Sequence, residues 1–220
     1  MNIFKRFYIA CRRFGRRRGY GIHPPFAYDL ITDVIYGRYA YYAYDDLRKL
    51  CGAIPGNLPR YPRRVNELLF RLVNRFQPEL VVEVGTGSGL SIRYLAAAKK
   101  NARYVTIDTI RHDEVAALLG NTSVEYRTVS NGNEGLFQNF SSINLLHMAH
   151  TSDYETVWEE ALLHASPESL FLVEGIYDSK LKRDWWKRVV ADDRTGITFD
   201  LYEIGLVFFD KSRPKQHFKA

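Results

Sequence analysis

The sequence predicts an α/β protein, a doubly wound sheet of about seven strands with a helical N-terminal cap and a C-terminal antiparallel hairpin. Three observations carry this expectation. From about residue 80 onward, short β-rich runs alternate with helical patterns, the mark of parallel βαβ units. A glycine-rich turn, Gly85-Thr86-Gly87-Ser88-Gly89, stands between an apolar run and a helical pattern. The last two β-rich runs lie too close for a helical crossover and must pair as a hairpin.

Taken in order, Leu80-Val81-Val82-Glu83-Val84 reads as a buried first strand, and residues 90–100 as its crossover helix. That helix ends in Lys99 and Lys100, the charge its dipole favours there. Residues 103–107 are a second strand, 112–119 a short helix, 123–129 a third strand, 133–140 a helix and 143–147 a fourth strand. Ser152-Asp153-Tyr154-Glu155 has the spacing of a capping box, in which Ser and Glu satisfy two orphan backbone donors. Tyr154, Val157, Trp158, Ala161 and Leu162 then form one apolar stripe. A fifth strand over 170–174 precedes a helix over 181–190 with Leu181, Trp185 and Val189 on one face. The hairpin pairs 197–202 with 206–209 across a turn near Gly205.

Upstream of the sheet, Val65, Leu68, Leu69, Leu72 and Val73 mark an amphipathic helix that Pro78 ends. Residues 1–60 are expected to be a basic arm and helical cap on a binding domain over 61–220. They contain too little apolar periodicity to bury a core alone. Tyr36, Tyr39, Tyr41, Tyr42 and Tyr44 crowd into this stretch and read mainly as packing for the cap. His23-Pro24-Pro25 reads as a rigid turn.

Composition bounds the class. Apolar residues make up 46% and charged residues 25%, which excludes a disordered chain. Apolar runs fall far short of the roughly 20 residues of a membrane span. No signal peptide is expected, and two cysteines make no disulfide framework, so the reading is cytoplasmic. Residues 1–20 hold Lys5, Arg6, Arg12, Arg13, Arg16, Arg17 and Arg18 and no acid, against a chain total of +6. The body is therefore nearly neutral, and the basicity belongs to the arm. Such an arm suits nucleic acid or anionic lipid, or is a solvated helix resting on the domain; the solvated helix is the preferred reading.

The sharpest signal is strand, then Glu83-x-Gly85-x-Gly87-x-Gly89, then helix. Glycines let the backbone turn tightly and approach a ligand, and N–H groups at the following helix start face it. Asp108 closes the next strand, where a carboxylate accepts hydrogen bonds from two ribose hydroxyls. A dinucleotide turn would want glycine at position 90, but Leu90 stands there. The arrangement resembles motif I of the class I S-adenosylmethionine-dependent methyltransferases, whose fold is Rossmann-like. Three further stretches resemble a bacterial group of methyltransferases related to small-molecule O-methyltransferases. They are Gly21-Ile22-His23-Pro24-Pro25-Phe26, Leu68-Leu69-Phe70-Arg71-Leu72-Val73, and Phe199 to Tyr202 with Gly205 to Phe209. The resemblance implies S-adenosylmethionine as cofactor, held by Glu83, Gly85, Thr86, Gly87, Ser88, Gly89 and Asp108. It implies methyl transfer to a small-molecule acceptor, at oxygen, with an RNA acceptor or a catalytically inactive binding protein as alternatives.

Metal-dependent members of the resembling family carry an acid after the fourth strand, opening an Asp-Gly-x-His segment, and an acid pair after the fifth. Here His150 matches the histidine, His147 stands in place of the acid, and Glu174-Gly175 replaces the pair. His147, His150 and Glu174 suit a nitrogen–oxygen metal site, or else His150 or His147 acts as a general base at neutral pH. The two histidines are the expected catalytic residues, and no metal site is assigned.

Overall fold

The computed structural model describes residues 21–52, 58, 62–129, 135–149 and 151–220. The basic arm at 1–20, His150, and the first part of the helix expected over 133–140 lie outside the described residues.

Eight strands form one sheet in the order β3-β2-β1-β4-β5-β7-β6-β8. They are β1 Leu80–Val84, β2 Arg103–Asp108, β3 Val124–Thr128, β4 Leu145–Met148, β5 Leu170–Glu174, β6 Thr198–Asp200, β7 Ile204–Phe208 and β8 His217–Lys219. The first five are mutually parallel, as crossover connections require, and β7 inserts antiparallel between β5 and β6. Among the described residues the helices are α1 Pro25–Asp29, α2 Ala43–Leu50, α3 Arg63–Phe76, α4 Leu90–Ala98, α5 Asp113–Leu119, α6 Tyr154–Leu162 and α7 Lys180–Ala191. A wider π-type turn over Leu30–Ile35 continues α1, with Tyr36 N–H donating to Ile31 O at 3.0 Å. None of the helices among the described residues is long and apolar enough to cross a membrane.

Alternation along the strands builds two cores. Val81, Tyr104, Leu145, Leu170 and Leu172 face Ile31, Leu69, Leu72, Ile92 and Leu95. Val82, Val105, Leu146, Phe171 and Val173 face Val157, Trp158, Trp185 and Val189. Helices thus cover both faces, and residues 22–36 share the first core instead of building their own. α3 stops at Gln77, which takes the left-handed conformation (φ 50°) just before Pro78.

The structure corrects the sequence reading at five places. The sheet has an eighth strand, β8, parallel to β6, with Phe218 stacked on Phe199 at 5.1 Å. Residues 135–139 form turns, although Leu136, Phe137 and Phe140 are buried as a helix there would have buried them. Asp153, not Ser152, precedes α6, and its carboxylate accepts from Thr156 at 2.7 Å, so no capping box forms. In α7, capped by Ser179, Leu181 is exposed, and the buried face is Lys182, Trp185, Trp186 and Val189. Finally, the hairpin turns at residues 201–203, with Tyr202 left-handed (φ 76°), while Gly205 lies within β7 opposite Asp200.

Gly205 is small because Trp186 lies over it. A Cβ there would stand 2.4 Å from the indole ring. Gly205→Ala is expected to destabilise the fold by about 1–3 kcal/mol through overpacking. In a domain of this size that lowers Tm by about 2–4 °C per kcal/mol, read by thermal unfolding. Gly52→Ala, whose Cβ would meet nothing closer than 3.6 Å, should leave Tm within a degree or two by comparison.

Candidate functional site

From β1 the chain moves outward to β2 and β3, then crosses back to β4, so the strand order reverses between β1 and β4. A crevice opens at such a reversal, outside the C-terminal strand ends. The glycine turn sits there. Gly85, Gly87 and Gly89 have φ of 91°, 52° and 72°, the left-handed region that side chains disfavour. Gly85 N–H donates to Ile107 O, and Ala149 N–H donates to Val84 O, both at 2.8 Å, which fixes the turn between β2 and β4. Gly89 caps α4 and approaches α5 so closely that a Cβ would stand 2.9 Å from Val115.

Asp108 closes β2 with its carboxylate directed at this turn. Oδ2 accepts the Gly87 N–H at 3.3 Å, and Oδ1 accepts those of Thr109 at 2.8 Å and Ile110 at 3.3 Å. Gly85, Ile107, Asp108, Val129 and Thr151 line a cleft above the strand ends. The loop offers backbone to this cleft more than side chains. Thr86 and Ser88 are buried, and Thr86 Oγ1 is held by Thr106 Oγ1 at 2.8 Å.

Beneath the loop runs a row of polar side chains crossing four strands. Thr106 Oγ1 donates to Glu83 Oε1 at 3.0 Å, so the Thr86 hydroxyl donates to Thr106. Glu83 Oε2 meets His147 Nδ1 at 2.8 Å, and His147 Nε2 meets Glu174 Oε1 at 3.1 Å. Glu83 and His147 have no exposed surface, and Glu174 has 2%. The register explains the row: Thr106, Glu83 and His147 are direct partners across β2, β1 and β4, and Glu174 projects from the same face of β5.

Two hydrogen bonds between one imidazole and two carboxylates need two protons. With both on the ring, or one on a carboxyl, the cluster carries net charge −1. Burial alone would press the His147 pKa down, but the hydrogen bonds and charges of Glu174 and Glu83 outweigh it and hold it up at about 9. Burial pushes the Glu174 carboxyl up too, against the pull of His147. Both directions say that the folded cluster keeps its protons. Nearby Lys182 is buried on α7 with its ammonium over the Tyr154 ring at 5.1 Å. Burial lowers its pKa, opposed by the charges of Asp178 and Glu174.

The expected site residues therefore divide. Gly85 and Asp108 line the cleft, Gly87 is joined to it through Asp108, and Gly89 packs against Val115. Glu83 turns away from it, with both oxygens engaged inside the sheet. His147 meets no expectation of a base, since it has no surface and both ring nitrogens are bound. No group of three His, Cys, Asp or Glu side chains among the described residues is arranged to hold a metal ion. Thr106 and Lys182 were missed; the signal for each was a polar residue at a buried position of an apolar pattern.

The sequence matches no family model and no curated protein. Its fold matches solved structures at low identity. A methyltransferase from Geobacter sulfurreducens is 18% identical with TM-score 0.62, over 79% of this chain and 92% of that one. An O-methyltransferase from Bacillus cereus in complex with SAH is 16% identical with TM-score 0.60, over 77% and 92%. An O-methyltransferase from Streptomyces achromogenes involved in tomaymycin synthesis, in complex with SAM, is 17% identical with TM-score 0.59, over 78% and 91%. At these identities the likeness is one of fold, and it establishes the Rossmann-like architecture of these enzymes for this chain.

The buried bridge makes stability depend on pH. The His147 pKa is raised on folding from its usual 6.5 to about 9. Its contribution is therefore fully present below about pH 6.5 and is lost as pH rises through about 9. Urea unfolding is expected to show stability declining across that window. In His147→Gln, stability is lower by about 3–5 kcal/mol because a carboxylate is left uncompensated, and the part of the pH slope that titration of the imidazole supplies is lost.

Proposed function

We propose that the chain transfers a methyl group from S-adenosylmethionine to a nucleophilic oxygen of a small molecule. One observation carries the reading. A turn of three left-handed glycines, of which Gly85 lines the cleft and Gly87 donates to Asp108, meets the Asp108 carboxylate where the strand order reverses. The residues fit the cofactor. Backbone N–H groups at the turn and the start of α4 suit its carboxylate, and Asp108 suits vicinal ribose hydroxyls. When bound, S-adenosylmethionine supplies an electrophilic methyl group on a sulfonium. The work left to the chain is positional: Gly85 to Gly89 and Asp108 hold the donor, while the surrounding walls align the acceptor in line and exclude water. The SAH and SAM in the B. cereus and S. achromogenes enzymes support the cofactor assignment. We place the reaction in the cytoplasm, on a sequence whose two cysteines make no disulfide framework.

A second reading is a binding protein of this fold without turnover. It is favoured by the sealed bridge, since His147 and Glu174 are engaged with each other inside the sheet. Calorimetric titration with S-adenosylhomocysteine tests the cofactor. The intact chain is expected to bind at micromolar Kd, and Asp108→Ala to bind at least about tenfold more weakly, as loss of a charged hydrogen-bond acceptor implies. Absence of binding in the intact chain would sink the methyl-transfer reading. Binding without product from any of a panel of phenols and amines would favour the second one.

A further inference from the structure

We propose that the cavity between residues 36–45 and the N-terminal half of α3 binds a planar aromatic molecule carrying an oxyanion, either carboxylate or phosphate. That this ligand is the methyl acceptor rests on the methyl-transfer reading above; that it binds here does not.

The cavity measures about 680 Å3, within the range of small-molecule sites. Five arginines line it. Three have carboxylate partners: Arg48 with Asp45, Arg63 with Glu67 at 2.6 Å, and Arg64 with Glu203 through Nε at 2.9 Å. Arg38 and Arg71 have none among the described residues. Arg38 is exposed and makes no hydrogen bond, ion pair or ring contact with them. Arg71 is only 9% exposed, and its guanidinium donates to Val34 O at 2.6 Å and Ile35 O at 3.1 Å. Two carbonyls take two of its five N–H groups and leave its charge without a carboxylate partner, and buried charges are ordinarily paired. A guanidinium fork suits a planar or tetrahedral oxyanion, which would supply the missing charge.

Five tyrosines, Tyr36, Tyr39, Tyr41, Tyr42 and Tyr44, also line it. Tyr41 and Tyr44 stand edge-on to each other at 5.3 Å, with Phe70 against both, and Tyr39 lies 6.3 Å from Tyr41. Such rings favour a flat ligand ring. The Tyr44 hydroxyl donates to Glu67 O at 3.2 Å, and burial pushes its pKa up to about 12, so it stays neutral beside Arg71. The cavity also lies at the ligand end of the sheet. Arg64 ties it to Glu203, beside the close of β5, and Tyr44 packs with Leu90 and Tyr94 on the helix that follows the glycine turn.

The test is calorimetric titration of the full chain with matched pairs, 3,4-dihydroxybenzoate against catechol and phenyl phosphate against phenol, plus inorganic phosphate alone. The anionic member of at least one pair is expected to bind at least tenfold tighter than its neutral partner and than inorganic phosphate, and the pair that responds identifies the oxyanion. Arg38→Ala and Arg71→Gln should each weaken that binding about tenfold, with Arg71→Lys recovering part of it. S-adenosylhomocysteine binding and Tm in Arg38→Ala should match the parent, which keeps the result independent of folding. The proposal is overturned by equal binding of anionic and neutral members, by no binding of any probe, by inorganic phosphate binding as well as the aromatic anions, or by indifference to Arg38→Ala. Arg38-dependent binding in a chain that ignores S-adenosylhomocysteine would keep the cavity assignment and remove the methyl-transfer reading.

Discussion

The bridge of Glu83, His147 and Glu174 is the constraint on which the ligand end of the sheet depends. Three ionisable groups lie side by side in adjacent parallel strands with almost no contact with water. Unpaired, any one of them would cost several kcal/mol to bury. Together they satisfy one another, and Thr106 and Thr86 extend the chain of hydrogen bonds to the underside of the glycine turn. The turn is thus anchored from below by side chains and from the sides by the β2 and β4 backbones. A loop with three left-handed residues needs such anchoring if its N–H groups are to keep one direction.

A similar economy governs the N-terminal segment. A π-type turn spaces its carbonyls more widely than an α-helix, and those of Val34 and Ile35 are met by Arg71 from α3. One buried guanidinium therefore fastens residues 30–35 to the helix that packs on the sheet. The tyrosines that follow are shared with α3 and α4 through Phe70, Leu90 and Tyr94. This is why so polar a stretch can be ordered without a core of its own.

The parts of this architecture legible in the sequence are those with local causes. β1 and β5 are short apolar runs bounded by turn residues, and the sequence reading placed both within their observed bounds. The glycine turn and Asp108 announce themselves because each depends on the strand it ends. The bridge was not legible, because Glu83 and His147 lie 64 residues apart and His147 and Glu174 27 apart, and only the strand register sets them side by side. Read locally, a histidine at a strand end looked like a base. The same limit hid Lys182, which stands where the pattern of α7 wanted Leu181, and β8, which has a single apolar residue to signal it. Residues 135–139 failed in the opposite sense: buried apolar residues at helical spacing are placed by turns instead.

β8 also changes what the sheet shows to other molecules. Without it, β6 would present a row of unpaired amides and carbonyls beside the apolar Phe199, a template for another strand. With β8 in place the outer edge is three residues long and carries Lys219. The opposite edge, β3, carries Glu125 and Arg127, with Glu125 paired to Arg127 and to Arg103 on β2. The sheet is therefore closed to growth at both ends by charge and brevity. In such a chain, two or three residues near the C-terminus serve colloidal behaviour as well as the fold they pack against.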